Sequence, residues 1–354
     1  MPEFVSAPGN GLFARLAEHA HEQVSFAFDR ESGYRGIIAI HDTSLGPSLG
    51  GTRFWNYASE AEALTDVLRL SRAMTYKAAV AGLKLGGGKS VIIGDSRTAR
   101  RVGVLRAHGR HIEALGGRYI TAEDVGTSTG DMEILRKETR HVVGLEGGSG
   151  DPSPVTAFGV YRGMKACARH RWESDALGGK TVAVQGVGHV GYHLCRYLRQ
   201  EGASLVVTDV DAEKVKRAVS ELGARAVPPA EIYDARADIL APCALGAVIN
   251  DETLPRLKVQ IIAGGANNQL AEDRHGDLLE QRGITYAPDY VINGGGLINV
   301  GAELQGWTRE QAQDKASEIY DTVLLVLKIA QDEGIPSYVA ADRLAERRLA
   351  EAQS

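Results

Sequence analysis

The hydrophobic positions of this chain change period along its length, and each change marks an element. Ile37-Ile38-Ala39-Ile40-His41 is a near-continuous apolar run of strand length. From Ser59 the period lengthens. Ala63, Val67, Leu70 and Met74 share one helical face, and Ser59-x-x-Glu62 supplies the capping box that opens the helix. Gly86-Gly87-Gly88 predicts a break before a short strand, Ser90-Val91-Ile92-Ile93. Another strand, Arg118 to Ala122, ends at Glu123-Asp124. The glycines and prolines of 147–154 predict an inter-domain hinge near residues 146–154, with a helix from Val155 beyond it.

The second half begins with the clearest pattern. Thr181-Val182-Ala183-Val184 reads as a buried strand and Gln185 to Gly191 as a glycine turn. Val190, Leu194, Cys195 and Leu198 then recur at helical spacing. Ser204-Leu205-Val206-Val207-Thr208 makes a second strand that ends at Asp209. Strand, glycine turn, helix, strand and acid in this order form a dinucleotide-binding fingerprint. Gly186 allows the tight turn, Gly188 lets backbone approach a pyrophosphate, and Gly191 lets helix and strand pack closely. Val187, His189 and Val190 complete the loop and the helix N-terminus, whose free N–H groups favour phosphate. Asp209 is expected to accept hydrogen bonds from the adenosine ribose hydroxyls and to repel a 2′-phosphate. The following Val210-Asp211 offers no arginine, so the pattern favours NAD over NADP. The alternative is a glycine turn that binds nothing.

Further strands are expected at Asp238 to Ala241 and Val259 to Ala263. After Gly294-Gly295-Gly296 come two helical stretches, and the longer one, holding Ile319, Val323, Val326, Leu327 and Ala330, is expected to return the chain to the first domain. The fold class is therefore α/β in two domains. An N-terminal α/β domain over 1–145 supplies most of the substrate site, a Rossmann dinucleotide-binding domain covers 146–330, and a helical tail over 331–354 is expected to return to the first domain.

Composition narrows the function classes. At 354 residues, 44% hydrophobic and 24% charged, the chain is of ordinary globular make-up. A net charge of −5 argues against a nucleic-acid partner. No apolar run reaches membrane-spanning length, and Met1-Pro2-Glu3-Phe4 lacks the start of a signal peptide. Cys167, Cys195 and Cys243 are odd in number and have no metal-ligand spacing. A cytoplasmic, reduced protein without a metal is expected.

Candidate chemistry lies outside the fingerprint. Lys77 ends an otherwise apolar helix, and Lys89 stands between three glycines and an apolar strand. A desolvated lysine loses basicity and can act as a base near neutral pH. Asp124 stands at a strand's C-terminal end, where α/β folds place catalytic groups. The alternative for each is an ordinary surface charge. Gly86 to Ser90 is not a phosphate loop: that spacing needs glycine where Leu83 stands, and strand follows rather than helix. The pairs His189/His193 and His108/His111 lack further ligands and carry no chemical expectation.

Several longer strings resemble the glutamate/leucine/phenylalanine/valine dehydrogenase family. They are Leu45-Gly46-Pro47-Ser48-Leu49-Gly50-Gly51-Thr52-Arg53, Gly86-Gly87-Gly88-Lys89 and Thr121-Ala122-Glu123-Asp124-Val125-Gly126. Ala241 to Gly246, Ala266 to Leu270 and Ala287 to Asn293 extend the resemblance, which runs from Ile37 to Leu349. It implies oxidative deamination of an L-amino acid with NAD, giving a 2-oxo acid and ammonium, in a homo-oligomer. By resemblance, Lys77 and the Gly50 backbone hold the substrate carboxylate, Lys89 activates water, and Asp124 exchanges protons with the amino group. Thr156 and Ala244 fall on the cofactor side, and Asn268 falls near the nicotinamide ribose or the substrate amine. Leu49, Met74, Ala122, Leu297 and Val300 form an apolar wall around the substrate side chain. Burying a γ-carboxylate there costs several kcal/mol, which disfavours glutamate and favours leucine, isoleucine or valine. Leu297 stands where the leucine-specific members of the family usually carry valine. One methylene shifts selectivity by only ~1–3 kcal/mol, so phenylalanine stays open. A non-catalytic NAD-binding regulator on the same fold is the distant alternative.

Overall fold

In the computed structural model, which describes residues 11–145 and 150–353, the chain forms two units. The first comprises the described residues up to Gly150, with Glu303–Gln305 and the residues from Glu346 onward. The second comprises Asp151–Ala302 and Gly306–Ala345. Of the expected hinge, residues 146–149 lie outside the described residues.

The first unit runs α1 (Leu12–Glu18), β1 (Gln23–Asp29), β2 (Tyr34–Asp42), β3 (Ser48–Trp55), α2 (Glu60–Val80), β4 (Gly86–Ile93), α3 (Arg101–Glu113), β5 (Tyr119–Glu123) and α4 (Thr129–Arg136). Its strands form one mixed sheet in the order β1-β2-β4-β3-β5. β4, β3 and β5 run parallel, while β2 pairs antiparallel with both β1 and β4. Alternate residues of β2 serve opposite faces. Ile38 and Ile40 join Leu105, Ile112, Met132 and Leu135 of α3 and α4, while Ile37 and Ala39 join Ala63, Val67 and Leu68 of α2. A sheet covered on both sides explains why this strand reads as a continuous apolar run. At the N-terminus of α2, Ser59 accepts from the Glu62 N–H at 3.1 Å, and the Glu62 carboxylate accepts from the Ala58 N–H at 2.8 Å.

One expectation is corrected here. Gly86, Gly87 and Gly88 do not break the chain; they are the first three residues of β4, and all are buried. A side chain on Gly87 would strike the Thr75 backbone of α2, and one on Gly88 would meet the Tyr119 ring at 2.7 Å. The glycines are there for close packing, not for a turn.

The second unit contains α5 (Ser153–Trp172), β6 (Thr181–Gln185), α6 (His189–Gln200), β7 (Ser204–Thr208), α7 (Ala212–Leu222), β8 (Arg225–Ala226), β9 (Ile239–Pro242), β10 (Ile261–Ile262), α8 (Asp273–Gln281), β11 (Thr285–Tyr286), α9 (Asp289–Ile292), α10 (Gly295–Gln305), α11 (Arg309–Ser317), α12 (Ile319–Glu333) and α13 (Ser337–Gln353). The ends of α10 and α13 count with the first unit. All six strands are parallel, in the order β11-β10-β9-β6-β7-β8. The chain leaves β6 toward β7 and later returns to β6's other side as β9. Such a switch point opens a crevice at the strands' C-terminal ends, where doubly wound sheets bind ligands.

Two further expectations differ. Gly295 and Gly296 belong to the first turn of α10 rather than preceding the helical stretches, and a side chain at Gly295 would meet the Val155 carbonyl of α5 at 2.5 Å. And α12 does not return to the first unit. It lies on α5, where Gly159 and Gly163 leave room for Ile319 and Val323. The last turns of α13 join the first unit instead: Arg348 donates to the Ala79 and Val80 carbonyls at 2.9 and 2.6 Å, closing the C-terminus of α2. Among the described residues, no helix is long and apolar enough to cross a membrane.

Candidate active site

In the first unit, glycine lets three parallel strands bring charged groups together. The register sets Gly51 of β3 against Ala122 of β5, and Thr52 against Ser90 of β4. A side chain on Gly51 would stand 2.7 Å from the Asp124 Cβ, and one on Gly50 would fall on the Gly88 carbonyl. Asp124 follows β5 in a tight turn. Its N–H donates to Thr127 Oγ1 at 2.9 Å, and Thr127 Oγ1 donates to the Thr52 carbonyl at 2.9 Å. The carboxylate is thereby aimed from a fixed backbone.

Lys89 lies on β4 with its side chain only 7% exposed, and its Nζ stands 2.9 Å from Asp124 Oδ2. The same oxygen accepts from Arg53 Nε at 3.0 Å. Arg53 also reaches α2, where its Nη1 donates to Asp66 Oδ2 at 2.7 Å, and Tyr57 donates its hydroxyl to that oxygen. Burial lowers the Lys89 pKa, Asp124 opposes that fall, and Arg53 adds to it. Burial works the other way on Asp124, but Lys89 and then Arg53 outweigh it and hold the carboxyl below its ordinary value. A buried lysine of lowered basicity beside an ionised carboxylate can pass protons in both directions.

Lys77 stands half-buried in the last turn of α2, three turns along from Asp66. Leu49 is buried in β3 at 1% exposure, while Met74 of α2 and Ala122 of β5 are half-buried. Leu297 is buried and Val300 half-buried on α10 in the second unit. The structure thus brings Lys89 and Asp124 into contact within one unit and distributes the five apolar residues over both.

The second unit holds the glycine loop at the switch point. Gly186 has φ +91°, a left-handed conformation, and a side chain there would meet the Ala244 Cβ at 2.7 Å. A side chain on Gly191 would fall on the Gly186 carbonyl. Gly188 caps α6 and, unlike Gly186 and Gly191, has nothing within 4 Å of its absent Cβ, so the loop faces open space there. That opening at a helix N-terminus fits a pyrophosphate. Asp209 Oδ2 accepts from the Val187 N–H at 2.8 Å, which holds the acid beside the loop. His189 is exposed and 3.7 Å from Asp151, and Val190 is half-buried. Thr156 is buried in α5 and donates to the Pro152 carbonyl. Asn268 is exposed with φ +50°, and its carbonyl accepts from the Ala247 N–H at 2.6 Å.

Comparison with known proteins decides the family. The description "Glu/Leu/Phe/Val dehydrogenase, dimerisation domain" matches residues 19–141, and "Glutamate/Leucine/Phenylalanine/Valine dehydrogenase" matches 147–215 and 206–354. The chain belongs to the Glu/Leu/Phe/Val dehydrogenase family. It is 59% identical to the leucine dehydrogenase of Geobacillus stearothermophilus, over 96% of this chain and 93% of that one. To the valine dehydrogenase of Streptomyces albus it is 49% identical over the whole of both chains. The crystal structure of L-tryptophan dehydrogenase from Nostoc punctiforme superposes with a TM-score of 0.90 at 44% identity, covering 97% of this chain and 100% of that one. The protein is therefore an amino-acid dehydrogenase of two-domain α/β fold, an enzyme that requires a nicotinamide cofactor.

Against that family background, the sequence left several residues without a role. Arg53 sits inside a recognised string, yet its bridge from Asp124 to Asp66 depends on strand pairing and helix packing. Only the strand alternation that points Arg53 and Gly51 to one face hinted at it. Arg196, Lys214 and Arg217 line a groove with Val187, Gly188 and His189. Two of these cations already face acids, Lys214 at 3.4 Å from Asp211 and Arg217 at 3.2 Å from Glu221.

Proposed function

We propose that this enzyme catalyses NAD-dependent oxidative deamination of branched-chain L-amino acids. The amino acid, NAD⁺ and water give the 2-oxo acid, NADH, ammonium and a proton. The buried contact of Lys89 with Asp124 carries this reading. The cofactor, when bound, accepts the hydride from Cα. Lys77 and the Gly50 N–H hold the substrate carboxylate. Asp124 takes a proton from the substrate ammonium, so that the nitrogen lone pair can assist loss of hydride. Lys89, in its neutral form, removes a proton from the water that attacks the resulting imine. Asp124 then returns a proton to the departing amine. Leu49, Met74, Ala122, Leu297 and Val300 are assigned to the substrate side chain, and none offers a charge to a γ-carboxylate. Gly186 to Gly191 are assigned to the pyrophosphate, Asp209 to the adenosine ribose, and Thr156, Ala244 and Asn268 to the nicotinamide half. The dimerisation-domain match of residues 19–141 supports a homo-oligomer.

The test is NADH formation at alkaline pH with leucine, valine, isoleucine, phenylalanine and glutamate. Leucine, valine or isoleucine should lead, with glutamate inactive. Phenylalanine in the lead would keep the chemistry and overturn the assignment of the apolar residues. Faster reaction with NADP than with NAD would overturn the cofactor reading.

A further inference from the structure

The Arg53 guanidinium joins three of the elements around Lys89. It grows from β3, donates Nε to Asp124 at the end of β5, and donates Nη1 to Asp66 of α2. The side chains are 22%, 22% and 16% exposed, so the bridge is largely shielded from solvent. Asp66 is held in turn by the Tyr57 hydroxyl at 2.7 Å and by Arg69 at 3.0 Å. Lys89 and Arg53 meet on one carboxylate oxygen, Asp124 Oδ2. Neither reaction chemistry nor close strand packing by itself calls for such an arginine.

The charges around Lys89 show what Arg53 does. Asp124 faces Lys89 from β5, Arg53 from β3 and Asp66 from α2, which also carries Lys77 in its last turn; Ala39, its partner on β2, is uncharged. Without Arg53, Asp124 would face the buried ammonium with no guanidinium beside it and Asp66 would keep only Arg69, and both carboxylates favour the charged form of Lys89. With Arg53 present the carboxylates are shared.

We propose that Arg53 is a positioning residue for the Lys89–Asp124 pair. It fixes the oxygen that Lys89 touches and supplies the positive charge that keeps Lys89 available as a base. The inference rests on the role given to Lys89 above. Arg53 acts only through its neighbours and is not itself catalytic.

The pH dependence of kcat/KM for leucine deamination tests it. Activity should rise with pH as Lys89 loses its proton. In Arg53→Gln that rising limb moves to higher pH, so the loss near neutral pH is several-fold larger than the loss on the alkaline plateau. Arg53→Lys restores charge without the double hydrogen bond and brings the limb back toward the wild-type position. Asp66→Asn removes an anion that favours protonated Lys89, and the limb moves to lower pH. Opposite shifts from two partners in one bridge would not arise from loosened packing alone. Arg53 also lines an open groove with Trp55, Tyr57 and Asp66, so a shorter side chain there leaves room for water rather than a sealed cavity.

An Arg53→Gln limb that stays in place, or the same direction of shift in both variants, overturns the proposal. A Lys89→Ala control separates the two readings. If that variant binds NAD yet loses turnover while the Arg53→Gln limb is unmoved, only the role of Arg53 falls. If Lys89→Ala keeps near-normal kcat, the role of Lys89 falls and that of Arg53 with it.

Discussion

At the scale of single residues, the two units use their acids differently. Asp124 is surrounded by cations and is held ionised by them. Asp209 has no cation at ion-pair distance among the described residues; its contacts are backbone N–H groups of Val187 and Asp211. A carboxylate held by two backbone donors keeps spare lone pairs for sugar hydroxyls. Asp209→Ala should therefore weaken NAD more than NADP. Part of the loss will be common to both, because the Val187 N–H loses its acceptor, but the charge that repels a 2′-phosphate disappears as well. Dissociation constants for the two cofactors measure this directly, and an equal loss for both would remove Asp209 from the discrimination. Lys214 and Arg217 do not reverse the argument, since Asp211 and Glu221 already engage them.

At the scale of elements, glycine was the residue hardest to interpret from sequence. A run of three reads as a break, because glycine is permissive in turns and weak in strands. In β4 the run is instead a strand thinned so that α2 can approach, and that depends on a neighbour the sequence does not name. The glycine loop after β6 was legible because its glycines serve the chain's own next turn, so spacing alone encodes the contact. His108 and His111 were opaque for the same reason as β4: their partners are far away in sequence. Both bond the Tyr34 hydroxyl, and His108 also meets Thr52 and Ser90, so a pair without chemical expectation proves to be a buried polar network. The two kinds of glycine can be separated by experiment. Gly87→Ala forces a methyl onto α2 backbone and should destabilise the first unit by roughly 1–3 kcal/mol or more, read as a lower urea midpoint. Gly188→Ala meets nothing in the protein, so it should unfold like wild type while its methyl stands where pyrophosphate would approach. Unchanged NAD affinity in Gly188→Ala would disprove that placement.

At the scale of the whole molecule, three buried histidines of the first unit make acid stability unequal between the units, while the buried histidine of the second, His275, stands 3.2 Å from the Asp251 carboxylate. His41, His108 and His111 all lie in the first unit. Burial lowers His108 to about 3, with His111 adding to the effect. His111 falls to about 4 through burial, and His41 to about 4 through burial first and His21 second. Each folded-state value lies below the unfolded value of about 6.5. Above that value both states are neutral and the contribution is complete. As pH falls through 6.5 the unfolded chain gains protons that the folded unit refuses, and stability declines until the folded histidines titrate near 3 to 4. For fully buried His108 the slope approaches about 1.4 kcal/mol per pH unit, and the other two add to it. In the second unit His170 and His193 are also lowered, mainly by burial, but both are far more exposed. Acid should consequently open the first unit before the second. Hydrogen exchange at pH 7.5 and 5.0 gives the comparison: amides of β3, β4 and β5 should lose protection on acidification while those of β6, β7 and β9 keep theirs. Loss beginning in β6 and β7 would mean that the neutral histidine network is not what limits the enzyme in acid.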